Sequence, residues 1–146
     1  MFLLDTNVVS ELRKAKSAKA DAHVVAWAKG CRSSSLFISA ITLLELETGI
    51  LRVERRDHTQ GEILRSWMQR HVLPAFAGRV LPVDTPVALQ CARLHVPDLR
   101  SERDALIAAT ALVHGMAVVT RNVADFEPMG VWILNPWLAE SGGNGS

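Results

Sequence analysis

Short apolar runs alternate with helical segments along the whole chain, and this alternation restricts the fold more than any other feature. The predicted strands are residues 2–4, 36–39, 80–83, 116–120 and 131–134. Segments with helical periodicity and capping residues separate them. Because parallel strands need a crossover connection, the pattern predicts an α/β domain with a central, mainly parallel sheet covered on both faces.

The helical segments have recognisable ends. The predicted helices are residues 8–12, 22–29, 41–52, 57–71, 85–95 and 102–114, and the polar residues 13–21 are predicted to be a loop or a frayed helix. Gly30 and Gly115 each stand directly after one of them, where a C-terminal cap is expected. Residues 41–52 are apolar nearly all round, which predicts burial on more than one side.

The length of 146 residues suits one domain, which we place at residues 1–140. The Gly/Ser/Asn-rich end, 141–146, is expected to be a disordered tail. The first residues lack the pattern of a signal peptide, and the apolar stretch 105–119 is too short and too interrupted for a membrane span. We therefore expect a soluble, cytoplasmic protein with no membrane association.

The net charge is +1, from 16 Lys and Arg against 15 Asp and Glu. This balance excludes a generally basic nucleic-acid coat protein and an acidic tail protein, but it allows local patches of either sign. Cys31 and Cys91 form no CxxC pair and no zinc-like cluster with histidine, so they are predicted to be small buried hydrophobes.

Four carboxylates stand beside apolar sequence or shortly after a predicted strand: Asp5, Glu45, Asp104 and Asp125. A buried, unpaired carboxylate is costly, so such groups are usually capped, paired or metal-bound. Taken singly, three of them have a structural explanation. Asp5 suits a helix cap, Asp104 stands three residues after Ser101 as in a capping box, and Asp125 suits an Asx turn.

Glu45 has a rival in Glu47, two residues later. At 100° per residue, Glu45 lies among small side chains that leave room for a metal ion. Glu47 lies between Leu43 and Leu51, where it could serve an interface. Helical periodicity alone leaves both assignments open.

The four acids together suggest more than four caps. Functional groups of a parallel α/β sheet gather at the carboxyl ends of its strands, where these acids could converge. Their charges would then repel unless a hard divalent cation such as Mg²⁺ or Mn²⁺ held them. Such a cation can polarise a phosphodiester and acidify an attacking water. Four neighbouring polar residues could orient water or phosphate: Thr6, Asn7, Thr120 and Asn122.

Positive side chains near the acids are candidates for contact with a nucleic-acid backbone. Arginine suits phosphate geometry, because its planar fork donates two parallel hydrogen bonds. The candidates are Arg13, Arg103 and Arg121. For each of them a solvated surface position is the alternative explanation.

The motifs together resemble those of PIN-domain ribonucleases, and most closely the FitB-like branch of the VapC toxins from type II toxin–antitoxin pairs. The resemblance rests on Leu-Leu-Asp-Thr-Asn-Val-Val-Ser-Glu-Leu at 3–12 and Ile-Thr-Leu-Leu-Glu-Leu-Glu-Thr-Gly-Ile at 41–50. It continues with Arg-Asp-Ala-Leu-Ile-Ala-Ala-Thr-Ala at 103–111, Val-Val-Thr-Arg-Asn-Val-Ala-Asp-Phe at 118–126 and Asn-Pro-Trp at 135–137. Their order and spacing cover almost the whole chain.

The resemblance implies a three-layer α/β/α PIN-like domain. It matches Asp5, Glu45 and Asp104 to the core acids of the family and Asp125 to the fourth, and it prefers Glu45 because the motif places the acid four residues before Gly49. It further implies cleavage of RNA with Mg²⁺ or Mn²⁺, a homodimer, and inhibition by a small cognate antitoxin, with which larger assemblies can form.

Two other functions remain open from the sequence. One is a non-catalytic partner that acts only within an antitoxin complex, with the acids receiving the basic side chains of that partner. The other is a phosphoacceptor or phosphatase-like module with Asp5 as its centre. The phosphatase motif needs a second aspartate where Asn7 stands, and both kinds of module need a late lysine, whereas the last lysine is Lys29.

A homodimer is also expected on physical grounds. The helices at 41–52 and 57–71 carry more apolar surface than one face of a sheet can cover. The side chains concerned are Leu43, Leu51, Ile63, Leu64 and Trp67.

Overall fold

The computed structural model describes residues 1–138, so the tail predicted at 141–146 lies outside the described residues. The strands are β1 (Phe2–Leu4), β2 (Leu36–Ser39), β3 (Val80–Leu81), β4 (Ala117–Val119) and β5 (Ile133–Leu134). They form a five-stranded sheet in the order β3-β2-β1-β4-β5. Every pairing is parallel, which confirms the predicted α/β class.

Helices connect the strands. They are α1 (Thr6–Leu12), α2 (Ala22–Lys29), α3 (Ala40–Arg56), α4 (His58–Trp67), α5 (Leu73–Ala75), α6 (Thr85–Leu94), α7 (Glu102–His114) and α8 (Val123–Phe126). Shorter helical turns stand at Ser33–Ser35, Met68–Val72 and Glu127–Met129. None of the helices within residues 1–138 has the length and apolar character that a bilayer crossing requires.

The two faces of the sheet bury different clusters, because neighbouring residues of a strand point to opposite sides. On β1, Leu3 belongs to the cluster that α6 and α7 cover, while Leu4 belongs to the cluster beneath α1, α2 and α3. On β4, Val118 and Val119 divide in the same way. The result is the expected three-layer α/β/α arrangement, with both faces of β1 buried.

Several predicted boundaries need correction. The strands expected at 80–83, 116–120 and 131–134 are shorter, at Val80–Leu81, Ala117–Val119 and Ile133–Leu134. The helix expected at 57–71 consists of α4 and a π-helical turn, after which helical structure continues through Pro74. Pro74 lies at the start of α5, where a missing backbone N–H is tolerated.

The composition of α3 predicted burial on more than one side, and this prediction is wrong for the single chain. In the isolated chain it buries Ile41, Leu46 and Ile50, whereas Leu44 and Leu51 are about half exposed, at 48% and 54%. The helix nevertheless extends to Arg56 rather than ending at 52. The exposed side chains leave α3 with an unpartnered apolar face.

Helices α3 and α4 pack unusually close to each other. A Cβ atom added to Gly61 on α4 would lie 2.6 Å from the Cα atom of Glu54 on α3, so only glycine fits there without a backbone shift. Arg65 joins the same two helices. Its guanidinium donates to both oxygens of Glu47, at 2.6 and 2.9 Å, and to both oxygens of Glu54, at 3.0 and 3.2 Å.

Candidate active site

The centre of the site forms where β1 and β4 end side by side. The two strands pair in parallel with Leu4 opposite Val119, so Asp5 and Thr120 follow them at the same edge of the sheet. Thr120 Oγ1 donates to Asp5 Oδ2 at 2.8 Å, and the Asp5 backbone N–H donates to the Val119 carbonyl at 2.9 Å. The sheet register thereby joins residues that are 115 positions apart in the sequence.

Asp5 is the most enclosed of the four acids, with only 5% of its surface exposed. Its Oδ1 accepts from the Thr6 backbone N–H at 2.8 Å, which caps α1 as predicted, and its Oδ2 also accepts from Asn7 Nδ2 at 3.3 Å. Burial raises the pKa of Asp5, and the charges of Glu45 and Asp125 raise it further against the effect of these hydrogen bonds. Asp5 is therefore a cap that also belongs to an acidic cluster.

Glu45 joins the cluster from the second turn of α3. Thr6 Oγ1 donates to Glu45 Oε1 at 2.6 Å, and Arg103 Nη1 lies 3.8 Å from Glu45 Oε2. Glu47 instead faces Arg65 on α4, in the ion pair described above. The structure thus separates the two glutamates that periodicity could not, and it brings Glu45 towards Asp5.

Asp104 stands in the first turn of α7. Ser101 is the N-cap of this helix but makes no capping hydrogen bond through its side chain, so the predicted capping box is not formed. Burial, together with the charges of Asp5, Asp125 and Glu45, raises the pKa of Asp104 to about 6. A carboxylate at a helix N-terminus ordinarily benefits from the helix dipole, and here the cost of burial together with the neighbouring negative charges outweighs that benefit.

Asp125 lies at the rim of the site. It is exposed and belongs to α8, a helical turn that the sequence did not predict, in place of the expected Asx turn. Its charge raises the pKa of both Asp5 and Asp104. The four acids predicted from the sequence are therefore near enough to one another for their charges to interact.

The four acids do not converge closely on one point. Within residues 1–138, no three of the four bring carboxylate oxygens within 4.8 Å of one another. Mg²⁺ commonly keeps several waters and uses one or two carboxylates, so it does not need a closed protein cage. The donor set of carboxylate, hydroxyl and amide oxygens fits Mg²⁺ or Mn²⁺, and the accumulated negative charge favours a cation.

The predicted polar residues surround Asp5, and most of them share one network. Asn7 Nδ2 donates to Thr120 Oγ1 at 3.3 Å, in addition to its bond with Asp5. The Asn122 backbone N–H donates to Thr120 Oγ1 at 3.0 Å. The Arg121 backbone N–H donates to Asn7 Oδ1 at 3.3 Å. Asn122 and Arg121 thus contribute their backbone N–H groups, while Asn7 and Thr120 contribute side chains.

The three predicted arginines occupy different places. Arg103 approaches Glu45, and Arg121 follows Thr120 directly, with its guanidinium carbon 5.2 Å from the centre of the Trp137 ring. Arg13 lies beyond the end of α1. It lines an open, basic pocket of about 510 Å³ whose other lining residues are Lys14, Lys16, Ser17, Lys19 and Gln60.

One cluster of potential metal ligands was not predicted from the sequence. Cys91 and His95, four residues apart at the end of α6, meet Glu102 of α7, with His95 Nε2 lying 3.7 Å from the sulfur and 3.8 Å from Oε2. The Cys-x₃-His spacing could have signalled it. However, His95 Nδ1 accepts the Arg100 backbone N–H at 3.1 Å, so Nε2 carries the proton of the neutral ring. In this tautomer the protonated Nε2 faces the sulfur and the carboxylate, so it has no free lone pair for a metal.

Comparisons with known proteins agree with this geometry. The PIN domain model matches residues 2–127. A VapC ribonuclease, Y4jK, from Sinorhizobium fredii is 39% identical, over 94% of this chain and 98% of the relative. Toxin FitB from Neisseria gonorrhoeae is 35% identical, over 94% of this chain and 99% of the relative. A structure of FitAB bound to an IR36 DNA fragment superposes with a TM-score of 0.84 at 35% identity, covering 97% of this chain and 99% of the other. The chain belongs to the PIN-domain family.

Proposed function

We propose that this protein is an endoribonuclease that depends on Mg²⁺ or Mn²⁺ and acts as the toxin of a type II toxin–antitoxin pair. The observation that carries the proposal is the concentration of four carboxylates at one edge of the sheet, where burial and the neighbouring negative charges together raise the pKa of Asp104 to about 6. Relatives named ribonuclease and toxin, which match nearly the whole chain, support the same assignment.

The proposed roles follow from the geometry of the side chains. Asp5, Glu45 and Asp104 would hold the cation directly or through waters, and Asp125 would adjust the charge of the site or hold a second ion. When bound, the cation supplies polarisation of the scissile phosphate and acidification of water. Without the cation, the negative charges of the acids would repel one another and would also repel the phosphate of RNA.

The neutral polar residues fix the acids in place. The Thr6 hydroxyl holds Glu45, while Asn7 and Thr120 hold the same oxygen of Asp5. Hydrogen bonds that orient ligand carboxylates are a common source of metal affinity. These residues are therefore positioning groups in the proposed mechanism, and Arg103 and Arg121 are the candidates for contact with the RNA backbone.

The proposed partners are an RNA substrate, a cognate antitoxin and a second copy of the chain, with larger assemblies that contain the antitoxin. The half-exposed apolar side chains on α3 and α4 support the dimer. Leu51 and Ile63, which the sequence indicated, and Leu44, which it did not, are between 48% and 54% exposed in the single chain. The other three side chains named from the sequence, Leu43, Leu64 and Trp67, instead pack partly buried against the core. We expect light scattering to give twice the monomer mass at micromolar protein concentration. A monomeric mass would contradict the dimer.

The test of activity is RNA cleavage by purified, antitoxin-free protein with Mn²⁺ or Mg²⁺, with and without EDTA. We expect wild type to produce 5′-phosphate and 3′-hydroxyl ends, and Asp5→Asn to lose cleavage while its circular dichroism stays unchanged. Asn keeps the side-chain oxygen that caps α1 but lacks the charge. The matched control is Asp98→Asn, since Asp98 is exposed in the loop between α6 and α7.

Two results would contradict the proposal. Undiminished cleavage by Asp5→Asn would mean that the acids are not the active centre. A well-folded wild type without cation-dependent cleavage would favour the non-catalytic alternative, in which the acids receive basic groups of a partner.

A further inference from the structure

We propose that Arg121 and Trp137 form a stacking platform that receives a base of single-stranded RNA beside the acidic cluster. The inference rests on the proposed ribonuclease function and adds a subsite to it. The two residues come from separate parts of the chain, after β4 and after β5. The guanidinium of Arg121 lies over the indole of Trp137 at 5.2 Å.

The platform is anchored to the acidic cluster through its backbone. Arg121 follows Thr120, whose hydroxyl donates to Asp5, and the Arg121 N–H donates to Asn7 Oδ1 at 3.3 Å. Asn7 in turn donates to Asp5. A base stacked on Arg121 would therefore belong to a nucleotide next to the phosphate at the acids.

The indole below the arginine is held in place. Trp137 is partly buried and packs against the core cluster that covers one face of β1. Its backbone N–H donates to Asn135 Oδ1 at 3.0 Å, so the Asn-Pro-Trp motif of the sequence forms a local turn that holds the backbone of Trp137, while packing against the core cluster restrains the ring. A fixed aromatic ring lowers the entropy lost when a third planar group stacks on the pair.

The arginine above the indole remains available to a ligand. Arg121 is exposed, and within residues 1–138 it forms no ion pair with an acidic side chain at 4.0 Å or less. RNA bases that are not paired stack on aromatic rings and on guanidinium planes. Every base offers such a face, so the subsite would accept unpaired RNA with little dependence on sequence.

The experiment separates base stacking from simple attraction to phosphate. Fluorescence anisotropy with Ca²⁺, a hard cation with oxygen ligands that offsets the charge of the acids, would measure binding of two labelled probes of about ten nucleotides, oligoadenylate and an abasic ribose–phosphate chain of the same length and charge. We expect Arg121→Lys, which keeps the charge but removes the plane, to weaken oligoadenylate binding at least about fivefold. Binding of the abasic probe should change less than about twofold, because its charge contacts persist.

Two further variants complete the design. Trp137→Phe keeps an aromatic face and should retain most of the binding to oligoadenylate. Arg55→Lys is the matched control, since Arg55 is exposed on the last turn of α3, ten residues and about 15 Å along the helix from Glu45. It should bind both probes as wild type does.

Equal weakening of both probes by Arg121→Lys would overturn the platform and leave Arg121 as a phosphate contact. Unchanged binding of oligoadenylate by this variant, or no binding by wild type, would also overturn it. Cleavage is measured separately on the same wild-type preparation with Mn²⁺. Loss of the proposed function would therefore appear as absent cleavage, whatever the binding assay gives.

Discussion

Replacing Asp104 by asparagine should stabilise the cation-free protein, although it is expected to remove activity. The ionised carboxylate is held in a partly buried, negative environment, as its pKa of about 6 against an ordinary 3.8 indicates. At about 1.4 kcal/mol for each pH unit, this difference sets an upper limit of about 3 kcal/mol. Because Asp104 is only partly buried, solvent screens the effect, and we expect about 1–2 kcal/mol.

The effect should depend on pH in a defined direction. The folded state holds the proton of Asp104 more tightly than the unfolded state, so ionisation disfavours folding. The penalty is fully present above about pH 6, declines as the pH falls, and is absent below about 3.8. The advantage of Asp104→Asn should accordingly be about 1–2 kcal/mol at pH 8 and a few tenths of a kcal/mol at pH 4.

Urea unfolding in EDTA at the two pH values measures this difference. Asp98→Asn, the exposed control, should stay within about 0.5 kcal/mol of wild type at both. Addition of Mn²⁺ at about a hundred times its Kd should stabilise wild type by about 2.7 kcal/mol, so that wild type becomes more stable than Asp104→Asn. An Asp104→Asn variant that is less stable than wild type at pH 8, or equally favoured at both pH values, would refute the electrostatic reasoning.

Two other pairs of substitutions test packing and positioning. Gly61→Ala should destabilise the fold by about 1–3 kcal/mol in urea unfolding, because its Cβ meets the α3 backbone at 2.6 Å. Gly49→Ala, with nothing within 4 Å, should stabilise by about 0.5–1 kcal/mol, and similar effects at both positions would disprove the close-approach argument. Thr6→Val should lower the cleavage rate about tenfold through loss of the 2.6 Å bond that holds a site carboxylate, with the melting temperature nearly unchanged. Thr48→Val, which loses only a bond to its own helix, should cleave normally; equal rates in the two variants would remove Thr6 from the site.

Local features of the fold could be predicted from the sequence. Asp84 caps α6 through the Val87 N–H at 3.2 Å, and Gly115 ends α7 with a positive φ of 66°, because both devices depend on a few consecutive residues. The ends of the strands were predicted less accurately. Residues such as Val131 are apolar but lie outside the paired region, and pairing depends on a neighbouring strand that is distant in sequence.

The candidate site shows the same division. The positions of Asp5 and Asp125 after predicted strands already suggested convergence at one edge of the sheet. The choice between Glu45 and Glu47 could not be made from periodicity, because it depends on Arg65, eighteen residues beyond Glu47 on another helix. The pairing of Arg121 with Trp137 likewise needs the neighbouring positions of β4 and β5.

The bond between Asp5 and Thr120 has a consequence for the order of events during synthesis. The two residues are 115 positions apart, so the ribosome must complete β4 before the bond can form. Helices with local contacts form early, whereas strands paired over such distances close late. A nascent chain that stops before residue 120 would contain Glu45 and Asp104 but would lack the Asp5–Thr120 bond at the centre of the site. Any activity of the site therefore appears only after residue 120 has been synthesised, and products truncated before it are expected to be inert.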